Sequence, residues 1–96
     1  MPGAEAATVE RSGATLRFAG ALLRADVAAL WRHALPLLPG VSGFDLGAVA
    51  RVDSAGVALL AELAARADGA IAVAGSPAGL DELRAAYRLT PALAFA

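Results

Sequence analysis

The apolar and polar residues follow a period of two in some stretches and a helical period in others, and these periods predict the elements. Near the N-terminus, apolar and polar residues alternate on both sides of Ser12-Gly13, as in two antiparallel strands joined by a tight turn. Further along, apolar stripes at helical spacing alternate with short apolar runs that suit buried strands. Proline and glycine residues lie between these stretches and are expected to end them.

This pattern predicts strands and helices in the order β, β, α, β, α, β, α. The strands are expected at Thr8–Arg11, Ala14–Ala19, Val41–Leu46 and Ala70–Ala74, and the helices at Arg24–Leu35, Ser54–Ala67 and Ala78–Arg88. Strand-helix-strand crossovers require parallel strands with right-handed connections. We therefore predict an α/β fold with a mixed four-stranded sheet, an antiparallel N-terminal hairpin and helices packed on the sheet. The length of 96 residues suits a single domain spanning residues 1–96, with residues 1–7 expected to be disordered.

Composition excludes several classes of function. The chain has no cysteine, no lysine and one histidine, His33, so disulfides, thiolate or multi-histidine metal sites, Schiff bases and the P-loop lysine are all excluded. A formal net charge of −1 gives no basic surface for nucleic acid. No basic segment precedes an apolar run near Glu5, and no apolar stretch reaches the roughly 18 residues of a membrane span. We expect a cytoplasmic domain without cofactor, metal, nucleic-acid partner or membrane insertion.

A small polar group lies between a valine and an apolar run in the stretch RVDSAGVALL, residues 51–60. Ser54 precedes the second predicted helix and can cap it, and Asp53 can share that role because a helix dipole favours a nearby acid. Docking of a partner is the alternative, since a face of mostly small residues continues from Ser54 along the helix through Ala55, Ala58, Glu62 and Ala65. A phosphate on Ser54 would add about two negative charges at the rim of that face.

Two further groups of residues have a functional and a structural interpretation. His33, Asp45, Asp53 and Ser54 contain the parts of a hydrolytic triad, but the sequence lacks G-x-S-x-G and places His33 on the polar side of a helix, which favours a solvated histidine. Trp31 and Tyr87 are typical of amphipathic residues at the core or its rim, and contact with a partner is the alternative.

The order of elements and the stretch FDLGAVARVDSAGVALL together resemble the STAS domain, the fold of anti-sigma-factor antagonists and of the cytoplasmic tails of sulfate transporters. The family marker is a strand ending in Asp-Leu, a short loop, and Asp-Ser/Thr-x-Gly at a helix start. Asp45-Leu46 and Asp53-Ser54-Ala55-Gly56 match it. The resemblance implies that Ser54 is a partner contact or phosphoacceptor, supported by the other motif residues.

Within the family, the chain is most similar to the MlaB-like members, through Leu30-Trp31, RVDSAGVALLAEL, and LRAAYRL followed by Thr90-Pro91-Ala92. This resemblance implies a non-enzymatic subunit that binds the ATPase of a phospholipid-transport ABC complex, with Ser54 at the contact and Trp31, Ala58, Glu62 and Tyr87 as interface candidates. The subunit would lie at the inner membrane through its partner and would meet the permease indirectly. The alternative is an anti-sigma-factor antagonist switched by phosphorylation of Ser54.

Overall fold

A four-stranded sheet forms the centre of the fold in the computed structural model, which describes residues 7–67 and 69–94. The strands are β1 (Thr8–Ser12), β2 (Thr15–Leu22), β3 (Gly43–Val52) and β4 (Ala72–Ala74), and the helices are α1 (Val27–Ala34), α2 (Ser54–Arg66) and α3 (Leu80–Ala86). Single 3-10 turns flank α1 at Arg24–Asp26 and Leu35–Leu37. The predicted α/β fold and element order are confirmed. The disorder expected for residues 1–7 falls, except for Ala7, outside the described residues.

The strands lie in the order β1-β2-β3-β4, with β1 antiparallel to β2 and the other neighbouring pairs parallel. Ser12 pairs with Thr15, so the hairpin turn is Gly13-Ala14, one residue later than Ser12-Gly13. Right-handed crossovers that step in one direction across the sheet place α1 and α2 on the same face, where the two helices contact each other. Their N-terminal ends therefore meet near the carboxyl ends of β2 and β3.

The core lies between this helical layer and the sheet. The rings of Phe18 on β2 and Phe44 on β3 meet edge to face, with centroids 5.5 Å apart. The apolar stripe of α2 packs onto them and onto α1, which is why a helix with so many alanines is fixed in place. The stripe consists of Val57, Leu59, Leu60, Ala61 and Leu63, all buried. No polar or charged residue in the described part of the chain is buried.

Several predicted boundaries are wrong, and long-range pairing explains the largest error. β3 continues to Val52, whereas the prediction ended it at Leu46 with a turn at Gly47. β3 extends this far because β2 pairs with it in parallel along its whole length. Irregularities in the register of this pairing accommodate the small residues of β3. β1 ends one residue later than predicted, at Ser12, and β2 spans Thr15–Leu22 instead of Ala14–Ala19. β4 and the helices are shorter than predicted at one or both ends, and α3 ends before Arg88, which adopts a left-handed conformation with φ 56°.

Candidate functional site

Asp53 holds the beginning of α2 against the rest of the fold. Its Oδ1 accepts a hydrogen bond from the Gly56 N–H at 2.9 Å, which is the usual geometry of an N-cap. Its Oδ2 accepts from the Arg24 N–H at 2.9 Å, and its own N–H donates to the Leu22 carbonyl at 3.2 Å. One carboxylate therefore joins the turn that leads into α1 to the first turn of α2.

The hydrogen bonds of Asp53 also decide its titration. The Gly56 N–H has the largest effect and lowers the pKa of the Asp53 carboxyl below its ordinary value of 3.8. Partial burial opposes this shift, and the Arg24 N–H adds to it. Hydrogen bonds to the ionised form favour that form, so Asp53 is charged at neutral pH and stabilises the helix start.

The absence of a side chain at Gly56 allows α2 to approach β2 more closely than any other amino acid at this position would allow. A Cβ atom at this position would lie 2.1 Å from the Leu22 carbonyl oxygen and 2.9 Å from the Leu22 carbonyl carbon. Real Cβ atoms do not approach backbone to that distance, so a side chain here would force the helix away from the strand. The glycine of the Asp-Ser-x-Gly motif thus has a steric reason.

Ser54 is the first residue of α2 and is exposed. The prediction that Ser54 caps α2, with Asp53 sharing that role, is wrong for Ser54, because Asp53 occupies the cap position and its carboxylate accepts the hydrogen bond from the helix N–H. Within residues 7–67 and 69–94, the Ser54 hydroxyl makes no hydrogen bond. The Ser54 hydroxyl therefore lies at the surface, at the positive end of the helix dipole.

Asp45, the other acidic residue of the motif, lies near the start of β3, roughly 20 Å along the strand from its end at Val52. It accepts a hydrogen bond from the Gly47 N–H at 2.8 Å and forms a 3.6 Å ion pair with Arg17 on the neighbouring strand. The structure therefore does not bring Asp45 and Ser54 together.

A groove of about 350 Å³ lies between α1 and α2, next to the Ser54 turn. It brings three of the predicted interface residues together, Trp31 from α1 and Ala58 and Glu62 from α2. Its complete lining is Val27, Trp31, Ala55, Ala58, Leu59 and Glu62. Tyr87, the fourth candidate, is 41% exposed at the end of α3 and does not line the groove.

The arrangement provides no assembled catalytic set among the described residues. His33 is exposed in the last turn of α1, and no hydrogen bond within those residues joins it to Ser54, Asp45 or Asp53. The described residues also contain no cluster of three or more His, Asp or Glu side chains suited to a metal ion. Across the same residues, every helix is too short or too polar to cross a membrane.

Comparison with known families agrees with this fold and motif. A family model matches residues 6–93, and the chain belongs to the STAS domain family. The matching model is described as "Mlab, STAS domain", so the similarity to the MlaB-like members is confirmed as well. No curated protein matches the chain. STAS domains are generally regulatory or interaction domains rather than enzymes.

Sequence reasoning missed several residues that build this site. Val27 and Leu59 line the groove, and the Arg66 guanidinium lies over the Trp31 ring, 5.1 Å from its centroid. The helical spacing of Val27 and Trp31, four residues apart, placed both on one side of α1 and was the available signal. No sequence pattern indicated the contact between Arg66 and Trp31, because these two residues lie on different helices.

Proposed function

We propose that this protein is a non-enzymatic accessory subunit of a bacterial phospholipid-transport ABC complex, which maintains the lipid asymmetry of the outer membrane. It binds the ATPase subunit through the Ser54 turn and the adjoining groove between α1 and α2. It acts in the cytoplasm, held at the inner membrane by this partner and meeting the permease only indirectly. The observation that carries the proposal is the groove that joins Trp31, Ala58 and Glu62 beside Ser54 in a chain of the MlaB-type family.

The chemistry of this surface suits a protein partner. Ala55 and Ala58 are small, so a partner's backbone or an apolar side chain can approach α2 closely, while Trp31 offers a large amphipathic ring of the kind that is frequent in binding hot spots. Glu62 supplies a polar rim to the otherwise apolar groove. Neither α1 nor α2 would have to rearrange, since Asp53 already fixes their relative position.

Capture of the tagged protein from solubilised membranes and cytosol of its own host tests the proposal. We expect mass spectrometry to identify an ABC ATPase together with its permease. Ala58→Arg, which fills the groove, and Ser54→Glu, which adds a charge beside Asp53, should each reduce ATPase binding at least tenfold, about 1.4 kcal/mol. Ala85→Arg introduces the same side chain at an exposed position of α3, outside the groove, and serves as the matched control.

Circular dichroism should show that all three variants remain folded, because positions 54, 58 and 85 are exposed. Unchanged ATPase binding by both Ala58→Arg and Ser54→Glu would refute the proposed surface. Failure to capture any ABC ATPase with the unmodified protein would refute the proposed function itself.

The second candidate is an anti-sigma-factor antagonist that a kinase partner switches by phosphorylating Ser54. The observation that favours it is the exposed Ser54 hydroxyl at a helix N-terminus, since Asp53 and not Ser54 provides the cap. Incubation with a captured kinase-like partner and ATP tests it, with phosphoserine mapped by mass spectrometry and Ser54→Ala as control. Recovery of an ABC ATPase and an unmodified Ser54 would contradict this candidate.

A further inference from the structure

The only tryptophan of the chain is stacked against an arginine of the neighbouring helix. The Arg66 guanidinium lies over the Trp31 ring with its central carbon 5.1 Å from the ring centroid, a cation–π arrangement. Trp31 is half-buried on α1, and Arg66 is the exposed last residue of α2. The stack therefore joins the two helices at the opposite end of α2 from the Asp53 cap.

The position of this stack relates it to the groove. Trp31 forms part of the wall of the groove between α1 and α2. Arg66 borders a second hollow, of about 260 Å³, with Leu35, Leu38, Pro39 and Ala67. One member of the stacked pair thus lines each hollow, and rotation of the indole away from Arg66 would change the shape of the groove.

Among the described residues, the Arg66 guanidinium lies against the Trp31 ring and not against the Glu62 carboxylate. Glu62 lies one helical turn earlier on α2, a spacing that permits an ion pair. In the structure of residues 7–67 and 69–94, however, Arg66 forms no ion pair with Glu62 and lies over the Trp31 ring instead. The ring quadrupole is the attraction that keeps the guanidinium in this place.

We infer that Arg66 is a positioning residue for partner docking: by stacking on Trp31 it holds the indole in the orientation that shapes the groove. This inference rests on the proposed function, because it assigns the stack a role at the same ATPase-binding surface. A half-buried tryptophan without this contact would sample other rotamers, and partner binding would then have to restrict it. Holding the ring beforehand removes that cost and strengthens binding.

The first test uses the isolated protein and needs no partner. Trp31 is the only tryptophan, so its fluorescence reports the stack directly. We expect Arg66→Met to increase collisional quenching by acrylamide and to lower the fluorescence anisotropy, because one face of the indole becomes accessible and the ring moves more. Arg66→Lys, which keeps the charge but loses the planar group, should give an intermediate result. Arg32→Met removes an exposed arginine of α1 as the control and should leave the fluorescence unchanged.

The second test measures binding of the same variants to the ABC ATPase subunit. We expect about two- to fivefold weaker binding for Arg66→Met, a smaller loss for Arg66→Lys and none for Arg32→Met. Unchanged quenching in Arg66→Met, or increased quenching with unchanged binding, would overturn the inference. If the unmodified protein binds no ATPase, the proposed function fails; if it binds and Arg66→Met binds equally well, only the inference fails.

Discussion

Replacement of Gly56 by alanine is the substitution for which the structure predicts the largest effect. Elsewhere in a helix, this change stabilises a protein by up to about 1 kcal/mol, because alanine favours helical backbone. At position 56 the added Cβ would lie 2.1 Å from the Leu22 carbonyl oxygen, whereas ordinary contacts begin at 3.4 Å. The start of α2 would therefore have to move away from β2 by the difference, 1.3 Å.

A movement of that size also affects the hydrogen bonds around Asp53. The bond from the Asp53 N–H to Leu22 is 3.2 Å long and that from the Arg24 N–H to Asp53 is 2.9 Å, so both would exceed hydrogen-bonding distance. Overpacking costs about 1–3 kcal/mol and each lost hydrogen bond about 1 kcal/mol, against the gain of about 1 kcal/mol in helix propensity. The net expectation is a loss of about 3 kcal/mol in the free energy of unfolding.

Thermal unfolding followed by circular dichroism measures this loss. For a domain of this size, about 3 kcal/mol corresponds to a decrease in Tm of about 12–24 °C. Gly69→Ala is the matched control, since a Cβ there meets no atom within 4 Å, and its Tm should stay close to that of the unmodified protein. A Gly56→Ala variant as stable as the unmodified protein would show that α2 does not press on the Leu22 carbonyl, and the steric explanation of the motif would be wrong.

Two further substitutions test the helix ends. Asp53→Asn can still accept the Gly56 N–H but loses the charge, so we expect a loss of about 0.5–1 kcal/mol at neutral pH. Because folding lowers the pKa of the Asp53 carboxyl, its ionised form contributes fully to stability above pH 3.8, and this contribution is lost as the pH falls through the pKa of the folded state. Urea unfolding measured across acidic pH should show this loss of stability in the unmodified protein and not in Asp53→Asn. Arg88→Gly removes a residue with φ 56° at the end of α3 and should raise stability by about 0.5–1 kcal/mol, whereas an unchanged or lower Tm would contradict strain there.

The fold was predictable because its elements carry local signals. Alternation marked β1 and β2, and apolar stripes marked the three helices. The end of β3 was not predictable in this way, because the local sequence of Gly47 and its small neighbours is typical of a turn. What makes them a strand is pairing with β2, from Ala19↔Ala48 to Leu22↔Val52, which involves residues some thirty positions apart.

The candidate site was predictable in part. The sequence located the motif and nominated Trp31, Ala58 and Glu62, and the structure places these three around one groove. It did not distinguish Asp53 from Ser54 as the cap, since both residue types cap helices and the choice depends on where Arg24 lies. Tyr87 carried the same amphipathic signal as Trp31, yet the two side chains lie on different parts of the surface because α3 does not border the groove.

The first turn of α2 divides structural and exposed positions among neighbouring residues. Asp53 and Gly56 contact β2 and the turn before α1. Ser54 and Ala58, by contrast, are exposed, and Ala55 lines the groove. Substitutions at the second group change the surface chemistry without touching the scaffold. Binding specificity can therefore diverge between descendants of one ancestral domain at little risk to folding. For protein engineering, a library randomised at positions 54, 55 and 58 with 53 and 56 held constant is the natural starting point for redirecting this domain to a new partner.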